Sequence, residues 1–121
     1  MAQQPPPAAG LQQIERYGAG GFRVSGVVYA GPVLIFPDRT IAWEAPSISL
    51  DGLAPIVARG GIELVLIGRG RRSAPVDAVL RIALKTHGIG VEAMDTGAAC
   101  RTYNLLLAEG RLVAAALLPL I

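Results

Sequence analysis

The chain has 121 residues, of which 52% are hydrophobic and 17% charged, which is the composition of one folded domain and excludes a disordered chain. Its formal net charge of +2 does not require a nucleic-acid or anionic-membrane partner. One cysteine and one histidine exclude an internal disulfide and a conventional metal site. We therefore predict no nucleic-acid partner, no metal, no cofactor and a reducing, cytoplasmic location. We also predict no membrane insertion, because the longest apolar run, residues 112–121, is too short to span a bilayer.

The N-terminal half is predicted to be rich in β-structure. Residues 1–10 are rich in Pro, Ala and Gln, which predicts a disordered tail, and residues 11–121 are predicted to form a single domain. Between residues 14 and 45, glycines separate short apolar segments, as is typical of strands joined by turns. Ser49 is predicted to cap a short helix over residues 50–58.

The C-terminal half has the pattern β-α-β-α-β. The run IELVLIG over residues 62–68 predicts a strand that is covered on both faces. An amphipathic helix is predicted next, with Pro75 in its first turn, Gly88 after its end and an apolar stripe of Val76, Val79, Leu80, Ala83 and Leu84. A strand over residues 89–94, a helix capped by Asp95 or Thr96 and running to about Glu109, and a final buried strand complete the chain. This order demands parallel strands, and it predicts a three-layer α/β domain.

Three segments carry a family resemblance: YGAGGFRVSGVVYAGPVLIFP with Trp43 after it, LVLIGRGRR, and GIGVEAMDTGAACRTYNLLLAEGRLVAAAL. They are similar to the small adipogenesis-associated Mth-type domain family, which is related to mitochondrial complex I assembly factor 3. The similarity runs from about residue 14 to residue 117, and MDTGAACRTYN followed by EGR is its most specific part. The resemblance implies a compact α/β domain with a mixed central sheet and a role in the assembly of respiratory complex I. It supplies no catalytic residues.

The loops after the first two predicted parallel strands form the leading candidate site. Such loops meet at one edge of the sheet, so residues 68–72 and 95–101 are expected to lie together. The second loop opens a helix, whose free N–H groups favour an anion, and both loops carry arginines suited to carboxylate or phosphate. The predicted functional surface is Arg69, Arg71, Asp95, Thr96 and Arg101. The structural alternative is that Asp95 caps the helix and pairs with Arg101, which would only lock the loops together.

Other candidate residues have structural explanations. Cys100 near a helix start has the position of a reactive thiol, but His87 is the only available base and is expected at the opposite edge of the sheet, so a buried packing role is predicted. The arginines of RGRR are predicted to form a solvated loop, since no aromatic platform accompanies them. Five apolar side chains are either core or an exposed patch for a protein partner: Tyr17, Phe22, Tyr29, Trp43 and Met94.

The functional prediction is a non-enzymatic interaction module that presents a rigid surface to a protein partner and is related to complex I assembly factors. The alternative is a small-molecule or anion-binding protein, including an enzyme, that uses the same crevice. The residue patterns supply no convincing catalytic set, and they do not define an oligomeric state.

Overall fold

The computed structural model describes residues 11–120, which form eight strands in two sheets together with three helices. The strands are β1 (Ile14–Tyr17), β2 (Gly21–Val24), β3 (Val27–Ala30), β4 (Val33–Ile35), β5 (Thr40–Ala42), β6 (Leu64–Arg69), β7 (Gly90–Met94) and β8 (Val113–Leu118). The helices are α1 (Ala54–Arg59), α2 (Ala78–Lys85) and α3 (Thr96–Ala108). The predicted tail at residues 1–10 lies outside the described residues.

The larger sheet has five strands in the order β5-β4-β8-β6-β7 and is mixed. Strand β6 runs parallel to β7 and to β8, whereas β4 runs antiparallel to β8 and β5. The predicted β-α-β-α-β order of the C-terminal half and the mixed central sheet are therefore confirmed. Because β6, β7 and β8 are parallel, the loops that follow them emerge at the same edge of the sheet, the one formed by the carboxyl ends of these strands.

Two apolar cores lie on opposite faces of this sheet, because neighbouring strand residues point to opposite sides. The first core joins the sheet to α1 and α2 through residues that include Leu34, Val65, Ile67, Ile56, Leu80 and Leu84. The second core joins it to α3 and the smaller sheet through residues that include Ile35, Leu66, Leu117, Tyr103, Phe22 and Val24. The predicted three-layer α/β architecture is confirmed.

Helix α1 begins later than predicted. The hydroxyl of Ser49 accepts a hydrogen bond from the Gly52 N–H at 3.0 Å, which closes a turn before the helix instead of capping it. The N-cap is Leu53, whose side chain makes no capping bond, and Pro55 stands in the first turn. Proline is tolerated there because the N–H groups of the first turn have no acceptor within the helix, so the absence of one costs no hydrogen bond.

Helix α2 also begins later than the apolar spacing predicts. Asp77 is its N-cap and accepts a hydrogen bond from the Leu80 N–H at 2.8 Å, so Pro75 precedes the helix. Leu80 and Leu84 are buried, but Val79 is exposed. A helix of two turns presents only one row of residues to the sheet, and Val79 lies beside that row. Gly88, at φ +75°, confirms the predicted stop after the helix.

The smaller sheet is antiparallel, with the order β1-β2-β3. Ser25 and Gly26 form the two-residue turn between β2 and β3, with φ values of 46° and 84°, as a hairpin turn of the primed type requires. The outer edge of β1 is closed by Asn104 of α3. The Asn104 side chain donates to the Ile14 carbonyl at 2.7 Å and accepts from the Ile14 N–H at 2.9 Å. One amide side chain thus takes the place of a neighbouring strand.

Candidate functional site

Thr96 joins the two loops of the candidate site. Its N–H donates to the Gly70 carbonyl at 2.8 Å, and its hydroxyl accepts from the Gly70 N–H at 2.8 Å. The same hydroxyl donates to the Leu118 carbonyl at 2.5 Å. These bonds confirm that the loops after β6 and β7 meet at one edge, and they add the end of β8 to the same cluster.

Glycines allow this close approach. A Cβ added at Gly68 would lie 2.9 Å from the Leu117 Cδ2 and from the Thr96 Oγ1, and 3.0 Å from the Thr96 Cα. The start of α3 therefore packs directly against the β6 backbone. Gly70 follows with φ +73°, a conformation that other residues adopt at a cost in free energy.

Asp95 caps helix α3, as predicted, by accepting a hydrogen bond from the Ala98 N–H at 2.9 Å. The predicted ion pair between Asp95 and Arg101 is wrong. Within residues 11–120 the ion pairs are Arg23–Glu15, Arg59–Asp38 and Arg111–Glu63. Six positions correspond to about 1.7 helical turns, so the side chains of residues 95 and 101 leave α3 in different directions.

Arg101 is exposed and contacts the smaller sheet instead. Its Nη1 donates to the Tyr17 hydroxyl at 3.2 Å. Gly97 makes room for the tyrosine ring, since a Cβ there would lie 2.9 Å from the Tyr17 hydroxyl oxygen. Sequence reasoning considered Tyr17 only as an apolar side chain and missed its contact with Arg101, because the two residues lie 84 positions apart. A glycine in the first turn of a helix was the available signal that another group packs against that turn.

The remaining predicted residues occupy different environments. Arg69 is half-buried at the end of β6, and Arg71 is exposed in the loop that follows. Thr96 has no exposed surface, so in this conformation it supports the site from within and does not face a partner. The outward-facing groups are therefore the arginines and the half-buried Asp95.

Of four concave regions within the described residues, none is lined by any of the five predicted site residues. The largest of these four, about 620 Å³, lies on the smaller sheet. Another, about 450 Å³, lies beside Trp43 with Glu44 and Asp51 in its lining. Arg101 adjoins the first of these regions through Tyr17, which also lines it.

Cys100 is buried, as predicted, and burial raises the pKa of its thiol to about 12, an effect that the nearby Arg101 only partly offsets. The thiol is therefore protonated at neutral pH and lacks the thiolate that nucleophilic chemistry needs. His87 is exposed beyond the end of α2. Phe22 and Trp43 are buried core residues, so the five apolar side chains considered above do not form one exposed patch.

Among residues 11–120, no three His, Cys, Asp or Glu side chains are grouped so that they could hold a metal ion. In the same part of the chain, no helix has both the length and the apolar character that crossing a membrane requires.

Replacing Asp95 with alanine is expected to lower the free energy of unfolding by about 0.5–2 kcal/mol, because a capping bond is lost but no ion pair is broken. Urea denaturation would measure the change. Asp77→Ala is the matched control, because Asp77 caps α2 by the same type of bond. A variant of Asp95 as stable as the wild type would contradict the capping role.

Comparisons with known proteins give the family. Residues 14–118 match the model of a protein family described as a protein of unknown function, DUF498/DUF598. An uncharacterized protein of Rhodobacter capsulatus is 40% identical over 99% of this chain and 94% of its own length.

Human NADH dehydrogenase [ubiquinone] 1 alpha subcomplex assembly factor 3 is 34% identical over 93% of this chain, which spans 63% of the human protein's length. The solution structure of a Mth938-like domain from Bordetella pertussis superposes with a TM-score of 0.75 at 32% identity, covering 98% of this chain and 92% of that one. The chain therefore belongs to the DUF498/DUF598 family of Mth938-like domains and is homologous to complex I assembly factor 3.

Proposed function

We propose that this chain is a non-enzymatic protein-interaction module that takes part in the assembly of respiratory complex I. The observation that carries the proposal is its homology, across nearly the whole α/β domain, to proteins named as assembly factors of that complex. The buried Cys100 thiol and its raised pKa agree with a role other than catalysis. The compartment that we propose is the cytoplasm.

The proposed contact surface surrounds the start of α3. Arg69, Arg71 and Arg101 supply forked donors, and these suit carboxylates on a partner. Thr96 holds the underlying loops together through its bonds to Gly70 and Leu118. A surface held in this way loses little conformational freedom on binding, which favours affinity.

An affinity pull-down from the source organism's lysate, read by mass spectrometry, tests the role. We expect complex I subunits or assembly proteins to be enriched by the wild type and lost with the double variant Arg69→Ala/Arg101→Ala. The control is Lys85→Ala/Arg111→Ala, which removes the same charge from exposed positions at the opposite ends of the parallel strands. Enrichment that neither double variant changes would contradict the proposed surface, and the absence of any complex I protein would contradict the role.

One observation favours the alternative. In that alternative the chain is a small-molecule or anion-binding protein, and an enzyme is one version of it. Arg101 is exposed and not paired with Asp95, so its guanidinium is accessible beside a helix start. Calorimetric titration with inorganic phosphate and with citrate distinguishes the two. Dissociation constants below about 1 mM that are lost in Arg101→Gln would support the alternative. No measurable binding would support the interaction module.

A further inference from the structure

The outer edge of β3 is open in the part of the chain that the structure describes. Strand β3 pairs only with β2. The Gly31 N–H donates to the Gly20 carbonyl at 3.0 Å. This bond shows which residues of β3 point their backbone groups toward β2. Since backbone groups alternate in direction along a strand, Val28 and Ala30 point their N–H and C=O groups away from β2. These are the groups that an added strand would bind.

The chain closes two other strand edges with side chains. Asn104 satisfies both backbone groups of Ile14 on β1, and Arg81 donates to the Val91 carbonyl of the edge strand β7 at 2.8 Å. Strand β3 has no such cover among the described residues. Its apolar side chains are also exposed, Val28 by 76% and Val27 by 50%. Exposed apolar edges are normally blocked because they promote pairing with other chains. Strand β5 also lacks such cover among the described residues, but Ala42 is its one exposed residue, so the exposed valines distinguish the β3 edge as a surface for pairing.

The face beside this edge is basic. Arg16 and Arg23 lie directly opposite each other on β1 and β2. Glu15 is the acidic group that offsets them, at 3.4 Å from the Arg23 Nε, and its carboxylate also accepts from the Gly26 N–H at 2.6 Å. Like charges opposite each other destabilise a sheet, and a carboxylate from a partner would relieve that repulsion.

The two arginines and the β3 edge share one concave surface. The region of about 620 Å³ described above is lined by residues of all three strands, including both arginines and Val28. Gly18, Gly20 and Gly21 also line it, so part of its floor is bare backbone. Tyr17 connects this region to Arg101 and hence to the proposed contact surface.

We propose that β3 takes up an extended acidic segment of a protein partner, which adds to the sheet as a fourth strand and places its carboxylates on Arg16 and Arg23. Backbone hydrogen bonds at Val28 and Ala30 would give the segment its affinity, and the arginines would select its charge. This inference rests on the proposed role as an interaction module and names the chemistry of the partner.

Selection from a phage-displayed library of random ten-residue peptides tests the proposal without any respiratory complex. Wild-type protein is the bait, and the variant Val28→Pro is used for counter-selection. Proline removes the outward N–H of Val28 but no bond to β2, and edge strands tolerate it. Ala42→Pro is the matched control, because Ala42 on β5 also points its N–H away from its neighbouring strand.

We expect the enriched peptides to be acidic, with alternating β-branched residues, and to bind Val28→Pro about tenfold or more weakly while binding Ala42→Pro normally. The Arg16→Gln/Arg23→Gln variant should bind acidic peptides more weakly and bind neutral ones as the wild type does.

Amide hydrogen exchange should slow at Val28 and Ala30 on binding and stay unchanged at Tyr29, whose N–H already faces β2. If Val28→Pro fails to fold, Ala30→Pro serves in its place, since it removes the other outward N–H and no bond to β2.

Neutral or basic peptides, an enrichment insensitive to Val28→Pro, or no enrichment would overturn the proposal. Self-association that requires Val28, measured by sedimentation without acidic peptide binding, would assign the edge to a second copy of this chain instead. Success here combined with failure of the complex I pull-down would retain the acidic partner and reject only the assembly role.

Discussion

Replacing Thr96 with valine is expected to lower the free energy of unfolding by about 2–5 kcal/mol. Valine keeps the shape of threonine but has no hydroxyl, so the Gly70 N–H and the Leu118 carbonyl both lose their side-chain partner. Thr96 has no exposed surface, and water cannot replace the lost bonds without opening the cluster. The added methyl group would also crowd atoms that now lie at hydrogen-bonding distance.

Urea denaturation of Thr96→Val would measure the effect, with two controls. Thr96→Ser keeps the hydroxyl, so most of the stability should return. Thr102→Val makes the same substitution on α3, where the hydroxyl contacts only the Met94 sulfur at 3.7 Å, and should change stability by less than about 1 kcal/mol. Equal losses in Thr96→Val and Thr102→Val would show that the hydroxyl of Thr96 does not hold the loops together.

Replacing Gly68 with alanine is expected to lower the free energy of unfolding by about 2–3 kcal/mol. The new Cβ would lie within 3.0 Å of the Thr96 Cα, which is backbone and cannot turn aside as a flexible side chain can. Helix α3 would have to move away from β6, and this movement would lengthen the bonds of the Thr96 hydroxyl. Thermal unfolding followed by circular dichroism would give the loss in stability.

Gly90→Ala provides the comparison for this variant. Gly90 lies on the neighbouring strand β7, and a Cβ there would meet Leu64 at 3.5 Å, an ordinary contact distance. Because alanine also reduces the freedom of the unfolded chain, this variant should be as stable as the wild type or slightly more stable. A stable Gly68→Ala variant would mean that α3 can shift without loss, and the site would be less rigid than we propose.

The order of elements in the C-terminal half was predictable because each signal is local. Continuous apolar runs mark β6 and β8, which are covered on both faces, and glycines follow α2 and α3. Asp95 was recognisable as a cap from its place before a helix. The meeting of two loops at one edge then followed from the rule for parallel strands.

The partners within the site were not predictable, because they come from distant parts of the chain. Thr96 bonds to Leu118, and Arg101 contacts Tyr17, which belongs to a separate sheet. Nothing in the local pattern shows that the N-terminal strands fold onto α3. The predicted pairing of Asp95 with Arg101 was wrong because side chains six positions apart leave the helix in different directions.

The asymmetry of the smaller sheet bears on stoichiometry. Within residues 11–120, Asn104 terminates it at β1, so the edge of this sheet that can accept a strand is that of β3. A sheet with one blocked end cannot propagate into a fibre by stacking copies side by side. Pairing of β3 with β3 of a second copy would close at two chains, because both available ends would then be used. An assembly that pairs β3 with β3, or with a separate partner segment, is therefore finite, with one bound strand for each copy of the protein.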